Sequence, residues 1–246
     1  MLKTHVPCFS ARLNQFARAH TMIAVLSMAG TITLVAPSVF AQAASAGAPA
    51  RVSTSVDAQQ KLLDDVASLN ENLVEFALDG NAGKIAETAN AIEASLPKLR
   101  TAVPATTFQA IESRVRDQRT AVKAGTAIAT ALASVEIYRL LQETIDPRSR
   151  AVPVQVPLLD YAGFKILALA KGDAVQRASI DATVKEAASF WKQVETRISS
   201  VALRNMIGSI MTGLADAAAA KDPAYTAFAA KMLLESVDLL EGQFTH

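Results

Sequence analysis

Carboxylates inside apolar helical stretches are the first residues through which this sequence could do chemistry. Glu136 lies within AIATALASVEIYRLL, and Glu235 and Asp238 lie within MLLESVDLLE. A carboxylate on an apolar helix face needs a charged or hydrogen-bonding partner, or its pKa rises. Two helices that present such groups to each other can hold a hard cation, as di-metal bundles do. A carboxylate metal site at Glu136, Glu235 and Asp238 is therefore one hypothesis.

An ordinary ion ladder is the simpler interpretation of Glu136, and we favour it. Arg139 follows Glu136 by three residues and Glu143 follows Arg139 by four, the spacings at which helical side chains meet. The Glu-x-x-His pairs of di-iron bundles do not occur in the sequence. We therefore expect a salt-bridge ladder within one helix at this position.

Two further groups of side chains could orient a small ligand or a partner. Asp160 and Tyr161 lie in VPLLDYAGFKILAL, the most apolar helical stretch, and Tyr138 lies in the preceding one. Such side chains line pockets between helices. The simpler interpretation has Asp160 satisfying first-turn amides and the Tyr161 hydroxyl at the surface. Arg148 and Arg150, in a proline-rich segment, are candidates for anion or partner contact, or are solvated.

The first 41 residues have the order of a secretory signal peptide. Basic residues precede an apolar run over 22–36, and Val39 and Ala41, or Ala41 and Ala43, supply the small side chains that cleavage requires. The run is shorter than the ~20 residues that span a bilayer. We predict cleavage after Ala41, or near Ala43, giving a periplasmic or secreted chain without stable membrane insertion.

Removal of that segment decides which chemistry remains. Cys8, His5 and His20 are removed with it, and His246 is the only histidine that remains. Disulfide frameworks, thiol nucleophiles, cysteine zinc sites and covalent haem attachment are thereby excluded, and Ser-His-Asp catalysis loses its support. We predict no catalytic residues, no enzymatic activity and no cofactor, with a divalent metal as the alternative. Haem has no motif, although side chains that can ligate iron remain: Tyr138, Tyr161, Met206, Met211, Met232 and His246.

Composition and charge limit the classes of partner that the chain is expected to bind. Hydrophobic residues make up 51% of the chain and charged residues 19%, which allows a sizeable core. Without residues 1–41 the chain has 21 basic and 23 acidic residues. This balance gives no electrostatic reason to expect nucleic acid, so we predict a protein partner or a small ligand.

Helical periodicity dominates the rest of the chain. Apolar residues recur at steps of three and four, the spacing of one face of an α-helix. Gly125 marks a kink in this pattern. Asp222 and Pro223 fit the start of a last helix. The apolar residues that define this last helix are Tyr225, Phe228, Met232 and Leu239.

Five segments follow from the pattern: a signal peptide (1–41), a flexible leader (42–54), a helical half (55–145), an extended proline-rich crossover (146–157) and a second helical half (158–246). A shift of 99 residues aligns the apolar stripes of the two halves without a gap and places Glu136 on Glu235. We therefore predict an all-α antiparallel, up-down helical bundle with two related four-helix halves. One larger irregular bundle is the alternative.

Function follows mainly by elimination. The sequence contains no GxGxxG and no phosphate-binding loop. An exported, non-catalytic binding or accessory protein that engages a protein partner or a small ligand is the favoured hypothesis. A carboxylate-based metal-binding protein is the alternative.

Overall fold

A computed structural model of the chain describes residues 50–245, with side chains from Val56 onward. The predicted signal peptide, most of the predicted leader and His246 lie outside the described residues. Regular structure between residues 50 and 245 is entirely helical, which confirms the predicted all-α class. None of these helices combines the length and the apolar character needed to cross a membrane.

The helices fall before and after the proline-rich segment. Those before it are α1 (Ala50–Leu78), α2 (Ala82–Ala102), α3 (Ala105–Lys123) and α4 (Ala127–Thr144). Those after it are α5 (Gln155–Lys171), the one-turn α6 (Ala174–Arg177), α7 (Ile180–Val194), α8 (Val201–Ala219) and α9 (Pro223–Gly242).

Each half forms a closed ring of four long helices. In the first half every helix packs against the next, and α1 packs against α4. The helices α5, α7, α8 and α9 repeat these relations, with α5 against α9. Short connections make successive helices antiparallel. Contact between α4 and α5 joins the halves, and one continuous hydrophobic core runs through both.

The central helix is α5, which packs against α4, α7 and α9. Twelve of its 17 residues are buried, as expected for a helix that is apolar on nearly every face. Gly163 permits close packing against α9, because a Cβ there would lie 2.7 Å from Leu234 Cδ2. The predicted central position of this helix is confirmed.

The helix bounds differ from the expected ones at three places, each for a local reason. Helix α1 begins at Ala50, inside the predicted leader, because no proline or glycine follows Pro49 until the helix ends. Gly125, at φ +66°, separates α3 from α4 by a turn instead of kinking one helix. The crossover is extended only in part, since α5 begins at Gln155. Pro157 is tolerated in that first turn, where its missing amide has no helical partner.

The last helix differs from expectation in which face it buries. Its contacts with the core come mainly from small and aliphatic residues, including Ala229, Ala230, Leu233, Val237 and Leu240. The four residues by which the sequence defines this helix are instead exposed: Tyr225, Phe228, Met232 and Leu239.

A buried polar network ties three helices of the first half together. Gln118 Nε2 of α3 donates to Asn70 Oδ1 of α1 at 3.2 Å and to Ser134 Oγ of α4 at 2.9 Å. All three side chains are fully buried, so their hydrogen bonds fix how these helices align.

Core packing predicts a large difference between two identical substitutions. Val135 on α4 is 1% exposed and Val175 on α6 is 81% exposed. Val135→Ala should lower the free energy of unfolding by about 2 kcal/mol, because it removes buried methyl groups and leaves a cavity. Val175→Ala should change it by less than about 0.5 kcal/mol. Urea titration measures both, and equal effects would contradict the packing described.

Candidate functional site

Glu136 belongs to a network that joins α4 to α5. Its Oε1 pairs with Lys165 Nζ at 2.7 Å and its Oε2 with Arg139 Nε at 3.1 Å. Arg139 also pairs with Glu143 at 3.2 Å, so the predicted ion ladder is confirmed. The Tyr161 hydroxyl donates to Glu136 at 3.2 Å and accepts from Lys165 at 2.7 Å. Lys165 thus extends the ladder to the central helix.

This network explains the position of Tyr161, which the simpler interpretation placed wrongly. Tyr161 is 1% exposed, because Lys165 and Glu136 satisfy its hydroxyl in the interior. Burial and the neighbouring carboxylate raise the pKa of Tyr161, so the phenol stays protonated. Burial alone would raise the pKa of Glu136, but Lys165 and Arg139 hold it below its ordinary value.

The hypothesised metal ligands are not brought together. Glu136 is engaged by cations at the α4–α5 contact, whereas Glu235 and Asp238 are exposed on α9 and lie near Glu75 of α1. In the part of the chain that the structure describes, no three His, Cys, Asp or Glu side chains converge to hold a metal ion.

Carboxylates from three helices lie close together where the halves meet. We call this region the acidic cleft; its members are Glu71 and Glu75 on α1, Asp160 on α5, and Asp238 and Glu241 on α9. Between residues 56 and 245, no lysine, arginine or histidine lies within 4.0 Å of any of these carboxylates. These carboxyl groups therefore have no ion-pair partner in the cleft.

Burial and mutual repulsion raise the pKa values of the cleft carboxyls. Burial is the largest cause for Glu71, and together with Glu75, Glu241 and Asp238 it raises the pKa of Glu71 to about 7. Asp160 has a pKa well above its ordinary value, from burial and from Glu71 and Glu241. Such clustering of perturbed carboxyls is typical of a functional site.

A cavity of about 260 Å³ adjoins the cleft. Glu71 and Glu241 line it, together with Tyr138 and Gln142 of α4 and Arg150 of the crossover. It draws on both halves and on the segment between them, the kind of place at which ligand sites form.

The polar groups around this cavity are held in place by hydrogen bonds. Arg150 Nη2 donates to the Gln142 carbonyl at 2.6 Å and to Gln142 Oε1 at 2.8 Å. Its Nε is buried without a partner, and burial lowers the pKa of Arg150. The Tyr138 hydroxyl lies 3.4 Å from Asp160 Oδ2, to which it donates.

Three of the five predicted ligand or partner residues therefore meet here: Tyr138, Arg150 and Asp160. The capping role considered for Asp160 is wrong, because α5 begins at Gln155 and Asp160 lies beyond the amides that need a cap. Arg148 is elsewhere, at the surface, paired with Asp146 at 2.9 Å.

Sequence reasoning missed most of the cleft. A signal was present in α1, where Asp64, Ser68, Glu71 and Glu75 recur at steps of four, three and four and so share one helix face. Nothing local predicts that this face lies opposite Glu241, since that depends on how the two halves pack.

Comparison with known proteins leaves the site to be judged on its geometry. The chain matches no protein-family model, no curated protein and no solved structure at a significant level.

The raised pKa of Glu71 predicts a pH dependence of stability. The folded chain holds this proton more tightly than the unfolded chain, whose glutamate titrates near 4.5. Stability is therefore gained as the pH falls from about 7 to 4.5 and lost as it rises. Glu71→Gln should raise the free energy of unfolding by about 1–3 kcal/mol at about pH 7.5 and flatten that dependence.

Glu87→Gln is the matched control for Glu71→Gln, since Glu87 is an exposed surface partner of Lys84. It should change the free energy of unfolding by less than about 0.5 kcal/mol. Urea titrations at several pH values compare the two variants. Destabilisation by Glu71→Gln at neutral pH would contradict the crowding of carboxyls in the cleft.

The α4–α5 network predicts a cost for removing one hydroxyl. Tyr161→Phe should lower the free energy of unfolding by about 1–3 kcal/mol, because Lys165 and Glu136 each lose a buried partner. Tyr225→Phe, at a ring that is 47% exposed, is the control and should be nearly neutral. Thermal and urea unfolding measure both, and a neutral Tyr161→Phe would show that the network contributes nothing to stability.

Proposed function

We propose that the chain is an exported, non-catalytic binding protein that holds a small organic polycation in the acidic cleft. The observation that carries this proposal is the set of carboxyl groups from α1, α5 and α9, none of which has an ion-pair partner within 4.0 Å among the described residues. Like charges held together in a fold lower its stability. A cationic ligand would relieve the repulsion between them and draw binding free energy from it.

The spacing of the carboxylates favours an extended organic cation over a metal ion. A calcium site needs six to eight oxygen ligands around one point. In the cleft, Glu71 instead lies near Glu75, Glu241 and Asp238, and Glu75 lies near Asp238 and Glu235, so the carboxylates are spread along α1 and α9. A linear polyamine, whose ammonium groups are several bonds apart, matches such a row. Tyr138 and Gln142 in the adjoining cavity offer additional hydrogen bonds.

Absence of catalysis and export are parts of the same proposal. Residues 42–245 contain no histidine and no cysteine, so the cleft offers carboxyl, phenol and amide groups without a nucleophile and base in contact. Export depends on the predicted signal peptide over 1–41, which lies outside the described residues.

Gene duplication also belongs to the proposal. A shift of 99 residues moves the starts of α2, α3 and α4 to 181, 204 and 226, and α7, α8 and α9 begin at Ile180, Val201 and Pro223. We infer that the halves are related. The cleft is not repeated, because it forms once, between α1 of one half and α9 of the other.

Calorimetric titration of the exported chain with spermidine tests the function. We expect binding that weakens as salt rises, because charge pairing drives it. The double variant Glu75→Gln/Asp238→Asn should weaken binding at least tenfold, and Glu87→Gln should leave it unchanged. Titration with 1,4-butanediol, which lacks the charge, should give no heat.

Native mass spectrometry of chain purified without chelator complements the titration, because it also detects cargo retained from the cell. An organic adduct that leaves on denaturation supports the proposal. Failure of spermidine to bind, or equal binding by the double variant, would overturn it. Tighter binding of Mg²⁺ than of spermidine would favour the alternative, a carboxylate-based metal-binding protein.

A further inference from the structure

Exposed apolar side chains are concentrated on one pair of helices. Eight large hydrophobic residues are exposed in the described part of the chain, and six of them lie on α8 or α9. Phe228 is the most exposed of these six, at 60%. We call five of them the α9 patch: Met206, Tyr225, Phe228, Met232 and Leu239. Contiguous exposed apolar surface on a chain of this kind marks an interaction site.

The α9 residues of the patch lie on one side of the helix. Its four α9 residues recur at steps of three, four and seven, so they share one face. The Tyr225 and Phe228 rings stack with centroids 6.5 Å apart. Helices α8 and α9 pack antiparallel, since Ser199 is hydrogen-bonded to Gln243 and Gly213 lies beside Tyr225. This alignment places Met206 of α8 beside the exposed apolar face of α9.

Bundle architecture does not require this patch. The 99-residue shift places Thr126, Ala129 and Ala133 of the first half on Tyr225, Phe228 and Met232. The corresponding helix pair, α3 and α4, has no exposed large hydrophobic residue. At these three positions the second half therefore carries large apolar groups where its counterpart has small or polar ones, whereas Leu239 aligns with Leu140.

The charged residues beside the patch could pair with the same residues of a second copy. Lys231 and Glu235 are exposed on α9, four residues apart, and neither has an ion-pair partner among the described residues. A two-fold axis beside Leu233 would place Lys231 of each copy opposite Glu235 of the other. Phe228 of one copy would then lie beside Leu239 of the second. A closed two-fold interface is self-complementary in this way.

We propose that the α9 patch is the interface of a homodimer in which α9 packs antiparallel on α9 of a second copy. Helices α8 and α9, of 19 and 20 residues, give a face roughly 30 Å long and 20 Å wide, the scale of a standard protein interface. Ser209 and Gly213 on the adjoining side of α8 are small enough to let a second helix approach. The patch and the cleft share no residue, although Glu235 lies near Glu75 and Asp238 of the cleft.

Sedimentation velocity of the exported chain over a wide concentration range tests the dimer. We expect a monomer–dimer equilibrium. Phe228→Asp should raise the dissociation constant at least a hundredfold, because it places a charge at the centre of an apolar contact. Val175→Asp, at an exposed apolar residue outside the patch, is the control and should leave dimerisation unchanged.

Charge reversal tests the antiparallel register. Lys231→Glu and Glu235→Lys should each raise the dissociation constant about tenfold, and the double variant should recover most of the loss. Circular dichroism checks that each variant remains folded. A monomeric wild type at every concentration, or a dimer indifferent to Phe228→Asp, overturns the proposal, and a double variant without recovery overturns the register. Spermidine titration of Phe228→Asp keeps this result distinct from the proposed function, since the cleft is untouched.

Discussion

Burial of α5 is the constraint from which the rest of the architecture follows. With almost no polar face, this helix is stable only when other helices surround it, and α4, α7 and α9 do so. Lys165 is the basic group it carries into the contact with α4, and a half-buried charge needs a partner there. Glu136 and the Tyr161 hydroxyl meet that need, so the two halves are joined by an apolar contact and one satisfied ionic network.

The acidic cleft is a consequence of how that joint is made. Lys165 and Arg139 are engaged by Glu136, and Arg150 is held by Gln142, so these cations do not pair with the carboxylates nearby. Acidic side chains of α1 and α9 then lie near one another. Ionised carboxylates without ion-pair partners are costly to a fold, and this cost is the basis of the proposed recognition of a cation.

Helical periodicity predicts the helices of this fold well, but it predicts less well which face of each helix is buried. It places the central helix correctly, and the capping role of Asp222 is confirmed by its bonds to the amides of Ala224 and Tyr225. It fails for α9, where Ala229 and Ala230 fill the core and larger side chains point away from it. A helix with two apolar faces gives a period but not a choice between them.

The candidate site shows the same limit at the level of side chains. Glu136 and Arg139 lie on one helix, so their pairing follows from spacing alone. Tyr138 and Asp160 stood out because each is polar within an apolar stretch. Glu71 and Glu241, by contrast, acquire their significance only from each other, and 169 residues of intervening chain separate them. Such a pair is a property of packing between the halves, which no local pattern encodes.

Helix α9 therefore carries two kinds of surface: acidic side chains near α1, and exposed apolar side chains. Burying Phe228 or Tyr225 in the core would stabilise the fold by about 1.5–3 kcal/mol each. The fold does not gain this free energy, because both rings are exposed. A surface that keeps such groups accessible is suited to a contact outside the chain. Because Glu241 faces α1 and Phe228 faces away from the core, the two surfaces can act without competing for the same side chains.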